Sequence, residues 1–137
     1  MKYCPSSLDS LGYIPLFHVW NGHTILNGIV EYEDYIHYEN TFSKRIVSIA
    51  QQCDSLGVRL IFVQPPVGDF HLQNSDPRLY NSFDSLMNCL ALKLNMEYKS
   101  YFNNAEFRPD SLYADEFHLN HQGATKFAQC VKEDLNL

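Results

Sequence analysis

The chain has 137 residues, 45% of them hydrophobic and 14% aromatic, which allows a modest core and one domain of marginal stability. With 10 basic residues against 16 acidic ones, its net charge of -6 argues against nucleic acid or an anionic membrane surface as a partner. No apolar run is long enough to cross a bilayer. Met1-Lys2-Tyr3-Cys4-Pro5 is not followed by the apolar stretch of a signal peptide, so the chain as written reads as soluble.

In chain order, segments 14–20 and 24–29 flank Asn21-Gly22, a dipeptide suited to a two-residue hairpin turn. Residues 1–38 therefore read either as a β-hairpin region or as an irregular, aromatic-rich arm. Over 39–56 the apolar residues Phe42, Ile46, Ile49, Ala50, Cys53 and Leu56 recur at helical spacing, and Gly57 is placed to stop the helix. Residues 58–63 form a β-branched run ended by Pro65-Pro66, which reads as a buried strand. Asp76-Pro77 supplies an N-cap and a first-turn proline to a second helix, with Leu79, Phe83, Leu86, Met87, Leu90 and Leu94 on its inner face. Residues 96–100 are a second strand. Two strands joined by a helix make a parallel β-α-β unit, and ligands of open α/β sheets gather beyond the carboxyl ends of the strands, the edge assigned to 65–70 and 101–118.

Four cysteines show no Cys-x-x-Cys spacing, and Cys53, Cys89 and Cys130 fall on the apolar faces of predicted helices, so free thiols are expected. The aromatic set Phe17, Trp20, Tyr32, Tyr35, Tyr38 and Phe42 is expected to serve core or subunit contact rather than to line an acyl or sugar pocket.

The segment from Tyr113 to Phe127 carries the chemistry. Asp115 stands three residues before His118 on a loop, and Asn120 then N-caps an amphipathic helix with apolar positions at Ala124, Phe127, Ala128, Val131 and Leu135. A histidine that takes a proton from a hydroxyl needs its other ring nitrogen held by an acceptor, usually a carboxylate, which fixes the tautomer. Asp115 and His118 have the residue types and spacing for that pair. The bland alternative is a surface turn held by a structural hydrogen bond. A second alternative adds His121 to give Asp-x-x-His-x-x-His, a possible zinc set. The helix start after His118 argues against it, so neither a metal nor a cofactor is expected.

Asp115, His118, Asn120 and Gly123 match, position by position, an Asp-x-x-His-x-Asn-x-x-Gly block, and here the chain resembles the SGNH (GDSL-type) esterases and acyl transferases. Their last block lies between the final strand and the C-terminal helix, and the resemblance extends over 57–135. It implies ester hydrolysis or acyl transfer, with His118 as general base and Asp115 as its orienting carboxylate. It further implies a small-molecule or glycan ester substrate and, in many relatives, a membrane helix or secretion signal upstream. The family's nucleophilic serine sits in a turn after the first buried strand. Asp-Ser-Leu occurs here at Asp9, Asp54, Asp84 and Asp110, but none follows a strand in that way.

The expectation is thus a single α/β domain over 1–137, with an αβαβα unit at 39–137. It is a small parallel-sheet, α-β-α layered domain resembling the C-terminal half of an SGNH hydrolase, flavodoxin-like in type. Without a recognisable serine the isolated chain should be inactive. A non-catalytic fragment or assembly module of the same fold is the alternative, and self-association or a missing N-terminal half would cover the small sheet. The compartment is left open.

Overall fold

The computed structural model describes residues 16–22 and 32–136, which divide into two compact units. One comprises 32–67 and 72–104. The other comprises 16–22, 68–71 and 105–136. Among the described residues the chain is mixed α/β, with four helices and a two-stranded parallel sheet.

The first unit holds helix α1 (Tyr32–Ser55), strand β1 (Ile61–Gln64), helix α3 (Pro77–Lys93) and strand β2 (Glu97–Ser100); of the short helix α2 (Asp69–Asn74), residues 69–71 belong to the second unit and 72–74 to the first. Helix α1 begins two turns before the expected start near Glu39. Tyr32 and Tyr35, read as part of an arm, lie in its first turns and have ring partners there. Tyr32 and Tyr35 stack with ring centroids 6.4 Å apart, and the Arg78 guanidinium lies 4.5 Å from the Tyr32 ring centre. Phe42, from the same set, packs against Phe83 in the core at 5.6 Å. Gly57 ends the helix at φ +65°. Its N–H donates to the Asp54 carbonyl at 3.1 Å and that of Val58 to Cys53 at 2.8 Å, the paired bonds of a Schellman cap.

That cap also corrects the first strand. Val58 still belongs to the helix terminus, so pairing starts only at the Leu60 carbonyl, which accepts from Glu97 N–H at 2.9 Å. It runs in register Ile61 with Glu97 through Gln64 with Ser100 before Pro65-Pro66 stops it. The second helix follows its expected boundaries: Asp76 accepts from Arg78 N–H at 2.9 Å and Pro77 takes the first helical position. Ile46, Ala50, Met87, Leu90 and Met96 form the buried core. Cys89 departs from the expected apolar face and is exposed; among the described residues Cys53, Cys89 and Cys130 form no disulfide.

The second unit is built from two 3-10 turns (Ala105–Phe107 and Asp110–Leu112), an antiparallel bridge between Tyr113 and Leu119, and helix α4 (His121–Leu135). Its core is Phe107, Leu112 and Tyr113, flanked by Leu119, Phe127 and Cys130. The Tyr113 hydroxyl donates to the Phe107 carbonyl at 3.0 Å. Burial, with Asp110 and Asp69 nearby, pushes that hydroxyl's pKa well above the usual tyrosine range. Of the two segments expected to form a hairpin, 16–20 is not a strand and 24–29 lies outside the described residues. In place of a strand, the 16–20 segment lies on this unit. Trp20 N–H donates to the Tyr113 carbonyl at 2.8 Å, the Leu16 carbonyl accepts from His121 N–H at 2.6 Å, and Trp20 packs edge-on against Phe70 at 4.6 Å.

Candidate functional site

The site is a tight loop closed at its base by backbone. Tyr113 and Leu119 pair, and Ala114 N–H donates to the His118 carbonyl at 2.8 Å, so residues 115–117 must turn back on themselves. Asp115 makes that turn possible. Its Oδ1 accepts from the backbone N–H groups of Phe117 at 2.8 Å and His118 at 2.7 Å, an Asx-type turn. The same carboxylate holds the ring: His118 Nδ1 lies 2.9 Å from Oδ1 and 2.8 Å from Oδ2. Sequence spacing thus brings the two side chains together.

Partial burial raises the Asp115 pKa, but the two backbone N–H groups and the His118 ring outweigh it and hold the carboxyl below its ordinary value. The carboxylate therefore stays charged at neutral pH and accepts Nδ1–H, which leaves Nε2 as the ring's basic nitrogen. The His118 side chain is 70% exposed, and among the described residues no group bonds to Nε2. Solvent or a substrate can reach it.

Asn120 and Gly123, the other two members of the block, have structural work. Asn120 is 3% exposed; its Oδ1 caps α4 by accepting from Gly123 N–H at 3.0 Å, and its Nδ2 donates to the Ser111 carbonyl at 2.8 Å. Gly123 is buried against the Leu112 carbonyl.

His121 does not join the pair. Its ring packs against Phe17 at 4.9 Å, and among the described residues no three His, Cys, Asp or Glu side chains converge as a ligand set. None of the described Asp-Ser-Leu triplets sits on a strand-to-helix elbow. Ser55 donates to the Gln52 carbonyl at the end of α1, Ser85 is exposed on α3, and Ser111 lies in a 3-10 turn. The Asp9 triplet lies outside the described residues.

Sequence reasoning passed over His71. It is 8% exposed, on the short helix α2, and its ring meets Phe117 edge-on at 5.1 Å. Burial lowers its pKa, partly offset by a hydrogen bond to the Glu116 backbone and by the Glu116 carboxylate. Its helix, Asp-Phe-His-Leu-Gln-Asn, is too short for a helical period to mark the histidine as buried. Compared with known proteins, the chain matches no family model, no curated protein and no solved structure.

Proposed function

We propose that the chain carries the histidine–carboxylate half of an acyl-transfer or ester-hydrolysis centre. In this reading the domain is an α-β-α layered relative of the C-terminal half of SGNH hydrolases. His118 Nε2 takes the proton from an attacking hydroxyl, and Asp115 fixes the tautomer and stabilises the imidazolium that forms. The hydroxyl nucleophile and the oxyanion donors come from residues outside the described set or from a second chain, and the substrate is a small-molecule or glycan ester. One observation carries the proposal: both carboxylate oxygens lie within 2.9 Å of Nδ1, while Nε2 is open.

A second reading has its own support. The two backbone N–H groups on Asp115 Oδ1 suffice to explain the residue as a turn former in a non-catalytic module. The readings differ in what Asp115→Asn does. Asparagine still accepts from the backbone and keeps the turn, but it removes the charge that faces Nδ1. Carbethoxylation by diethyl pyrocarbonate, followed by peptide mass spectrometry, measures how readily each neutral imidazole attacks. The catalytic reading expects His118 to react several-fold faster in the native chain than in Asp115→Asn, with His121 unchanged as internal reference. Equal His118 rates in the two proteins would leave the turn-former reading.

A further inference from the structure

Five residues from 114 to 118 must hold the pair in register, and the backbone bond at Ala114 fixes only the base of that loop. Its tip is carried by Glu116 and Phe117. Phe117 is 37% exposed, so part of its ring is covered, and His71 meets it edge-on. The His71 ring N–H also donates to the Glu116 backbone carbonyl. One buried imidazole therefore touches the loop twice, by ring packing and by a hydrogen bond, at the two residues that separate Asp115 from His118. A buried hydrogen bond of this kind resists disruption because each partner left unpaired would carry its full desolvation penalty.

We infer that His71 is a positioning residue for the Asp115–His118 pair, acting through Glu116 and Phe117 and touching neither reacting group. It bears the relation to His118 that an outer hydrogen-bond partner bears to a first-rank ligand or base: it restricts the loop and so narrows the ring positions in which Nδ1–H faces the carboxylate. The inference rests on the acyl-transfer reading for its significance, and its geometry stands apart from that reading.

The test reads the neutral His118 tautomer by nitrogen-15 NMR in four proteins at a pH where the ring is uncharged. His71→Leu keeps the apolar volume and removes the donor, whereas His71→Gln keeps an N–H that can reach the Glu116 carbonyl. Phe117→Ala removes the other contact from a partly exposed loop position and decides the matter if His71→Leu fails to fold. The expected result is that His71→Leu and Phe117→Ala lose the dominant Nδ1–H tautomer while His71→Gln retains it, whatever each does to the melting temperature. An unchanged tautomer in folded His71→Leu or in Phe117→Ala would overturn the inference, as would equal loss in the Leu and Gln variants, which would mark mere repacking. A native chain without the Nδ1–H tautomer would instead remove the acyl-transfer reading itself.

Discussion

Gly123→Ala is expected to destabilise the second unit by about 1–3 kcal/mol, the range for forcing atoms into a packed core. In an open helix the same change is favourable, by about 1 kcal/mol in helix propensity. Here space decides the sign. A Cβ on Gly123 would run into the Leu112 carbonyl oxygen and come within 2.9 Å of a Leu119 methyl. The carbonyl belongs to backbone, also accepts from Asn120 N–H at 2.9 Å, and cannot swing aside like a side chain. Either α4 lifts from the 3-10 turn or that bond breaks. Denaturant unfolding measures the loss as a lower midpoint, and a midpoint equal to or above that of the native chain would mean the helix start is looser than described.

Asn120→Ala should cost about 1.5–5 kcal/mol, from two separable sources. Loss of an N-cap costs roughly 0.5–2 kcal/mol. The partly buried Ser111 carbonyl, left without its donor, adds about 1–3 kcal/mol. Both apply because Asn120 is buried, accepts from Gly123 N–H, and donates to the Ser111 carbonyl. Serine at this position can cap but cannot reach as a donor with the amide's geometry, so Asn120→Ser should recover about 1 kcal/mol of the loss. The same unfolding series checks this ordering. Serine no better than alanine would show that the cap contributes little and that the donor to Ser111 carries the residue's effect.

These two residues show what kind of information the sequence held. Asn120 was legible as a cap because capping is local: a side-chain acceptor three residues before the N–H it serves. Asp76-Pro77 and Gly57 were legible for the same reason. The Asp115–His118 pair was legible because both residues stand on one short turn, although the antiparallel bridge that closes the turn leaves no trace in periodicity. The first turns of α1 escaped because Tyr32 and Tyr35 are amphipathic and the partners of Tyr32, Arg78 and Ser82, are some fifty positions away. Helix α2 was hidden by its length, six residues being too few for a period of 3.6 to register. His71 was hidden with it, since its burial depends on Phe117, which lies far along the chain. Contacts of long sequence separation are the ones that composition and spacing do not encode locally.

The most direct test of the account is the protonation of the neutral His118 ring, read from its two nitrogen-15 shifts in the native chain and in Asp115→Asn. With Nδ1 within 2.9 Å of both carboxylate oxygens, a general-base pair requires the proton on Nδ1 and the lone pair on Nε2. The account predicts a dominant Nδ1–H tautomer in the native chain that gives way to a mixture in Asp115→Asn. A native ring that is mostly Nε2–H, or a tautomer balance untouched by removing the charge, would contradict it.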